Sequence, residues 1–160
     1  MAYWIKAAST SRLGTAARPR GGDWLDNEMT SLRREGVDLL VSLLTPEEES
    51  ELELLKEGEA CTAAGIGFRR FSIPDRQTPA SLDSFRQFLR ELHQESLRGK
   101  SIVAHCRAGI GRSSLLIAAL LTMDGHTADE AFRLISKARG LQVPDTPEQV
   151  EWLRSFSAKL

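Results

Sequence analysis

The chain has 160 residues, of which 41% are hydrophobic and 27% charged, as expected for one folded domain with a sizeable core. Its formal net charge of −1 excludes a protein that binds nucleic acid or an anionic membrane through a strongly basic surface. Two cysteines exclude a disulfide framework, and the longest apolar run, residues 115–121, is too short to span a bilayer. We therefore expect a single cytoplasmic domain with no nucleic-acid partner and no membrane partner.

The first half of the chain alternates short apolar runs with capped helices. Thr45, Pro46 and Glu48 form a capping-box start for a helix that should reach about Glu59, with a break near Gly58. The other patterns predict strands at Tyr3–Ala7, Leu13–Ala17, Val37–Leu44 and Gly67–Ile73, and a helix at Asp26–Glu35.

The second half surrounds a segment that is apolar on nearly every side, residues 112–123, which we expect to be the central helix. The remaining patterns predict a strand at Lys100–Cys106 and helices at Ser81–Leu97, Thr127–Arg139 and Thr146–Ala158. Because strands alternate with helices, the predicted fold is α/β, with a mostly parallel central sheet of about five strands flanked by helices.

The stretch "AHCRAGIGRSS", residues 104–114, lies between a buried strand and the central helix. Its glycines turn the backbone, and a loop that ends at a helix N-terminus points several N–H groups at one position, where an anion binds. The planar guanidinium of Arg112 can hold two oxygens of that anion at once. The predicted phosphate-binding loop consists of Cys106, Arg107, Ala108, Gly109, Ile110, Gly111 and Arg112.

Cys106 is the candidate nucleophile of this loop. Helix N-termini and cationic neighbours favour the thiolate form of cysteine, which can attack the centre of a bound oxyanion. Ser113 is placed to donate a hydrogen bond to that thiolate and help it leave. The alternative is that Cys106 is an inert core thiol and Arg112 a surface residue.

Other loop chemistries fit the sequence poorly. A Walker A loop needs a lysine, and a dinucleotide-binding loop needs a third glycine, neither of which is present here. The three histidines and two cysteines form no cluster at metal-ligand spacing. We therefore expect no metal and no other cofactor.

If the bound anion is the phosphoryl group of a monoester, its cleavage needs a general acid, because the leaving oxygen is a poor leaving group. Asp75 lies in the turn "IPDRQTP", which Pro74 and Pro79 stiffen. The alternative is that Asp75 is a plain turn residue. Asp145 is a weaker candidate, because it is more easily interpreted as a cap or turn residue.

The segment "HCRAGIGRSS" matches the His-Cys-x5-Arg-Ser/Thr signature of the cysteine-dependent protein tyrosine phosphatase superfamily. The small size of the chain, "IPDRQTP" and the closing "GLQVPDTPEQ" resemble its compact dual-specificity branch. The resemblance covers nearly the whole chain, so that residues 1–160 would be a single phosphatase domain. Ser114 departs from the pattern, which often has glycine there.

The resemblance implies a metal-free reaction in two steps through a phosphocysteine intermediate. Asp75 would protonate the leaving group and then deprotonate the attacking water, and His105 would tune the ionisation of Cys106 from behind the loop. A buried structural histidine is the alternative for His105. Two further questions stay open: whether Gln149 positions the water, and whether Cys61 protects Cys106 as a disulfide.

The expected substrate is a phosphorylated protein. A chain too short to build a deep phosphotyrosine cleft should accept phosphoserine and phosphothreonine as well as phosphotyrosine. Two alternatives remain: a catalytically silent phosphate-binding adaptor, and a phosphatase of a non-protein substrate such as a phosphoinositide or an RNA 5′ end. Six arginines could rim the pocket and attract acidic substrates: Arg18, Arg20, Arg69, Arg70, Arg76 and Arg107.

Overall fold

A computed structural model describes residues 1–6 and 11–159. Its sheet has five strands in the order β1-β2-β5-β3-β4, in which only β1 runs antiparallel to its neighbour. The strands are shorter than the sequence predicts, and Ala7, the predicted end of the first strand, lies outside the described residues. The strands are β1 (Tyr3–Trp4), β2 (Leu13–Ala16), β3 (Leu39–Ser42), β4 (Gly67–Arg70) and β5 (Ile102–His105).

Helices cover both faces of this sheet, which confirms the predicted α/β class. They are α1 (Leu25–Arg34), α2 (Pro46–Glu51), α3 (Glu57–Ala63), α4 (Leu82–Leu97), α5 (Arg112–Met123), α6 (Ala128–Arg139) and α7 (Pro147–Ser157). The apolar faces of α4, α6 and α7 pack with α5 in one core, whereas α1 and α3 pack in a second core. The central helix α5 is buried on all sides over residues 113–121, as its unbroken apolar sequence predicts.

The predicted single helix from Pro46 to Glu59 is wrong. The chain leaves α2 after Glu51 and begins α3 at Glu57, and Gly58, the predicted break, lies inside α3. Glu53 adopts a left-handed backbone (φ 57°), which allows the Leu54 N–H to donate to the Glu49 carbonyl at 2.8 Å. This turn ends the helix because it satisfies a terminal carbonyl and buries Leu54 completely.

The topology gathers the candidate residues at one edge of the sheet. The strands β2, β5, β3 and β4 run parallel, so their carboxyl ends lie at this edge. There His105 of β5 pairs with Ala16 of β2 on one side and with Ser42 of β3 on the other. The loops that leave the carboxyl ends of parallel strands meet at the same edge, where α/β proteins bind ligands. The first turn of α2, which carries Glu48, and the loops that carry Asp75 and Cys106 therefore converge there.

Candidate active site

The loop of residues 106–112, here called the cysteine loop, is held from outside through its carbonyl groups. The Arg139 guanidinium donates to the carbonyls of Ala108 at 3.2 Å and Gly109 at 3.3 Å, and the Arg18 N–H donates to the Arg107 carbonyl at 3.2 Å. In a trans peptide group, the carbonyl of one residue and the N–H of the following residue point in opposite directions. The N–H groups that follow these carbonyls therefore point away from Arg139 and from the Arg18 main chain, which is an orientation that an anion site in the loop requires.

Both loop glycines lie where a larger residue would collide. Gly109 has a φ of +73°, and a Cβ there would come within 2.6 Å of the Ala16 carbonyl carbon. A Cβ at Gly111 would collide with the carboxylate of Asp145. The cysteine loop is therefore packed tightly against the end of β2 and against the segment before α7.

Cys106 and Ser113 meet inside this loop, as the sequence predicts. The Sγ of Cys106 lies 3.3 Å from the Oγ of Ser113, and both residues are buried. A hydroxyl at this distance can donate a hydrogen bond to a thiolate. Cys106 thus sits at the N-terminus of α5 with a hydrogen-bond donor beside its sulfur.

Arg112 is almost completely buried, with 1% of its side chain exposed, and it is held by a carboxylate. Its two terminal nitrogens donate to the two oxygens of Glu48 at 2.6 and 3.0 Å, and one of them also donates to the Ile73 carbonyl at 2.8 Å. The Nε of Arg112 is buried and has no hydrogen-bond partner among the described residues. One donor of a guanidinium that Glu48 fixes is therefore not satisfied within the described residues.

Sequence reasoning recognised Glu48 only as a helix cap. In the structure its carboxylate accepts from the Thr45 N–H at 3.1 Å, as a capping box does, and binds Arg112 and Arg107 as well. Burial raises the pKa of this carboxyl, but hydrogen bonds from Arg112, Thr45 and Arg107 outweigh it and lower the pKa from 4.5 to about 2. Glu48 is therefore an anion under all ordinary conditions.

Asp75 reaches the same guanidinium from the other side. Its Oδ1 lies 3.1 Å from an Arg112 nitrogen, and 53% of its side chain is exposed. The segment of residues 74–79, here called the Asp75 loop, therefore lies over the cysteine loop. The structure brings together the predicted residues Cys106, Arg112, Ser113 and Asp75.

His105 is buried behind the cysteine loop and is paired with a residue that sequence reasoning missed. Its Nε2 makes a hydrogen bond to the Glu57 carboxylate, and its Nδ1 lies 3.3 Å from the Cys106 carbonyl oxygen. Both side chains are at most 1% exposed. Glu57 lies in a segment whose sequence resembles an exposed helix, and the one available signal was that a buried histidine needs a hydrogen-bond partner.

Cys61 lies in the core that contains α1 and α3, whereas Cys106 lies in the core around α5 on the other face of the sheet. Both cysteines are free, and the Cys61 thiol lies 3.4 Å from the Met29 sulfur. Burial, together with the nearby Glu57 charge, raises the pKa of Cys61 to about 12. In this structure Cys61 is thus a neutral core thiol, and it is not paired with Cys106.

Several of the arginines that could rim the pocket, but could equally be solvated surface charges, are paired with carboxylates. Arg107 is 3.0 Å from Glu51 and 3.4 Å from Glu48. Arg20 pairs with Glu28 and Arg70 pairs with Glu49.

Within residues 1–6 and 11–159, no group of three or more His, Cys, Asp or Glu side chains could hold a metal ion. In the same described residues, none of the helices has the length and apolar character needed to span a bilayer.

We predict that Glu48→Gln lowers the free energy of unfolding by about 3 kcal/mol at pH 7, because Arg112 loses its buried countercharge. A folded-state pKa below the ordinary value means that Glu48 stabilises the fold above about pH 4.5 and loses this effect as the pH falls towards 2. The difference between wild type and variant should therefore shrink from pH 7 to pH 3 in urea unfolding. Glu47→Gln, which changes an exposed carboxylate of the same helix, is the matched control. A difference that stays constant with pH would contradict the prediction.

Comparisons with known proteins agree with this geometry. A family model described as "Polymorphic toxin system, DSP-PTPase phosphatase" matches residues 14–126. The chain is 35% identical over 100 residues to a phosphatidylinositol 3,4,5-trisphosphate 3-phosphatase and protein-tyrosine-phosphatase, PTEN1 of Arabidopsis thaliana, a match that covers 56% of this chain and 24% of the relative. It is 33% identical over 73 residues to dual specificity protein phosphatase 22-B of Danio rerio, covering 45% of this chain and 40% of the relative. The chain thus spans less than half of the length of these curated relatives.

Solved structures show the same fold at low identity. The kinase associated phosphatase with a substituted catalytic cysteine superposes with a TM-score of 0.86 at 22% identity, over 100% of this chain and 95% of that one. The structure of PTPMT1 in complex with PI(5)P superposes with a TM-score of 0.75 at 22% identity, over 98% of this chain and 96% of that one. The family match spans Glu48, the Asp75 loop and the cysteine loop, and the chain therefore belongs to the DSP-PTPase phosphatase family, a compact dual-specificity group of the protein tyrosine phosphatase superfamily.

Proposed function

We propose that this phosphatase hydrolyses phosphate monoesters in proteins in two steps, with Cys106 as the nucleophile and no metal. The observation that carries the proposal is the buried Arg112, which Glu48 holds in place and whose Nε has no partner in the described protein. A donor fixed in this way, beside inward N–H groups and a buried cysteine, suits the oxygens of a phosphoryl group.

In the first step the Cys106 thiolate attacks phosphorus, and the bond from phosphorus to the leaving oxygen breaks. Asp75 gives its proton to that oxygen, so that a neutral alcohol or phenol departs. The charge on the three equatorial oxygens is stabilised by the loop N–H groups and by Arg112. The product is a phosphocysteine with Asp75 as its carboxylate.

In the second step water attacks the same phosphorus while the Asp75 carboxylate takes a proton from it. The bond between phosphorus and sulfur breaks, inorganic phosphate leaves, and Cys106 returns as a thiolate. Ser113, whose Oγ is 3.3 Å from this sulfur, donates the hydrogen bond that stabilises the leaving thiolate. Asp75 is protonated again, which completes the cycle without a co-reactant other than water.

The His105–Glu57 pair supports the nucleophile from behind. Because Glu57 accepts from Nε2, the imidazole ring is fixed, and its Nδ1 faces the Cys106 carbonyl. Since the Cys106 carbonyl can only accept, Nδ1 holds it only when this nitrogen also carries a proton. We assign this protonated form of His105 the role of holding the Cys106 backbone and of adding a polar group behind the sulfur. This role is compatible with the structural alternative, because removing one partner of a buried pair also destabilises the fold.

We predict that Cys106→Ser lowers kcat for p-nitrophenyl phosphate at least about 10³-fold, and that Asp75→Asn lowers it about 10²- to 10⁴-fold. The assay is run at one fixed pH with a chelator present. Turnover by Asp75→Asn equal to that of the wild type would contradict the role of Asp75. Binding of vanadate without turnover would instead indicate the adaptor alternative.

Phosphotyrosine-containing protein, with phosphoserine and phosphothreonine as further substrates, is the class that the charges favour. A phosphoinositide headgroup presents additional phosphates, which need free cations near the loop. The cysteine loop contains no lysine, and its extra cation, Arg107, is engaged by Glu48 and Glu51. An RNA 5′ end would also need a basic surface, which a chain of net charge −1 does not supply through its overall field.

We predict that wild type releases phosphate faster from a tyrosine-phosphorylated peptide than from a short-chain phosphoinositide, measured as kcat/KM at equal ionic strength. Glu51→Gln removes the exposed carboxylate that pairs with Arg107. It should therefore raise turnover of the phosphoinositide and lower the ratio of kcat/KM for the peptide to kcat/KM for the phosphoinositide. Glu47→Gln, which changes an exposed carboxylate of the same helix that is not paired with Arg107 in the described structure, is the matched control. A wild type that prefers the phosphoinositide would overturn the proposed substrate class and leave the mechanism intact.

A further inference from the structure

Gln149 is completely buried, and each polar atom of its side-chain amide has a partner. The Oε1 accepts from the N–H groups of Asp145 at 3.0 Å and Thr146 at 3.3 Å, which makes Gln149 the third residue of the α7 capping box. The Nε2 donates to the main-chain carbonyl of Gln77 at 3.1 Å. Two donors on one side and a carbonyl on the other fix the amide in this orientation.

The carbonyl of Gln77 belongs to the Asp75 loop. Residues 74–77 of this loop are exposed, and Arg76 adopts an unfavourable left-handed backbone with a φ of +63°. The same residues are also held by the bond from the Gln77 N–H to the Pro74 carbonyl, by the Asp75–Arg112 pair and by a 3.9 Å pair between Arg76 and Asp145. The bond from Gln149 thus ties an exposed and strained stretch of the loop to a completely buried side chain.

We propose that Gln149 is a positioning residue that holds the Asp75 loop over the cysteine loop and so keeps Asp75 in place to protonate the leaving group. It acts through Asp75 and not through water or phosphate. The inference rests on the proposed function, in which Asp75 is the general acid. The cap of α7 thereby has a second role, because the side-chain amide of Gln149 that caps the helix also fixes the loop that carries Asp75.

The substitution Gln149→Glu separates the two roles of the amide. Glutamate is equally good as the third residue of a capping box, so its carboxylate can accept from Asp145 and Thr146 as before. It has no N–H to donate, and it faces the Gln77 carbonyl with an oxygen. Thr146→Ala is the reverse control, because it removes the hydroxyl that caps the Gln149 N–H and leaves the bond to Gln77.

The measurement compares kcat/KM for p-nitrophenyl phosphate, which has a good leaving group, with kcat/KM for phenyl phosphate, which has a poor one. An enzyme that protonates the leaving group depends little on leaving-group quality, and one that has lost its acid depends on it strongly. We expect Gln149→Glu to shift the ratio in favour of p-nitrophenyl phosphate by roughly tenfold, as for one lost buried hydrogen bond. Thr146→Ala should leave the ratio unchanged, and vanadate should bind all three proteins equally.

Two further variants complete the test. Gln149→Met, which retains the length of the side chain but donates no hydrogen bond, should shift the ratio in the same direction. Gln149→Glu combined with Asp75→Asn should give the ratio of Asp75→Asn alone, because a positioning residue has nothing left to position. Equal loss for both substrates in the Gln149 variants, or a further shift of the ratio in the double variant, would overturn the inference. If Asp75→Asn itself leaves the ratio unchanged, the proposed general acid fails, and the inference fails with it.

Discussion

The bidentate pair between Arg112 and Glu48 is the interaction on which the rest of the site depends. A guanidinium with 1% of its side chain exposed is tolerable only when a carboxylate and hydrogen bonds compensate for its lost hydration. The pair joins the first turn of α2 to the first turn of α5, and Arg112 also binds the Ile73 carbonyl and Asp75. One side chain therefore links three of the loops that meet at the carboxyl edge of the sheet.

The anion site is built locally in a chain whose net charge is −1. Its cations are mostly balanced by carboxylates: Arg112 by Glu48, and Arg107 by Glu48 and Glu51. The donors that remain for a phosphoryl group are directional ones. They are the backbone N–H groups, the N-terminus of α5 and the Nε of Arg112, which has no partner among the described residues. Under the proposed function, such a site would recognise one phosphoryl group by geometry and would add little attraction for a substrate with several.

The parts of the fold that sequence predicts well are those encoded by local patterns. The central helix is apolar on every side, the threonine caps at residues 45, 127 and 146 are all present, and Cys-x5-Arg lies between β5 and α5. The family resemblance is confirmed by the match over residues 14–126. The cysteine loop could be found because all of its parts are contiguous in the chain.

The parts that sequence did not predict depend on contacts between distant segments. From the sequence, Glu48 is consistent with a helix cap and Glu57 with an exposed helix surface. Nothing near them in the sequence indicates that their partners are Arg112 and His105. The division of the predicted helix between α2 and α3 has the same origin, since it allows Leu54 to be buried and Glu57 to reach the back of the cysteine loop. For Gln149 the cap was visible in the sequence, whereas the bond to the Gln77 carbonyl 72 residues away was not.

The central claim is that Cys106 forms a covalent bond to phosphorus, and the most direct test is to trap that bond. The Asp75→Asn variant, which should hydrolyse the intermediate slowly, is mixed with p-nitrophenyl phosphate, quenched in acid and analysed by peptide mass spectrometry. The account predicts a phosphorylated peptide that contains Cys106, and none when Cys106 is serine. Turnover of phosphate with no label on Cys106, or with label on another residue, would contradict it.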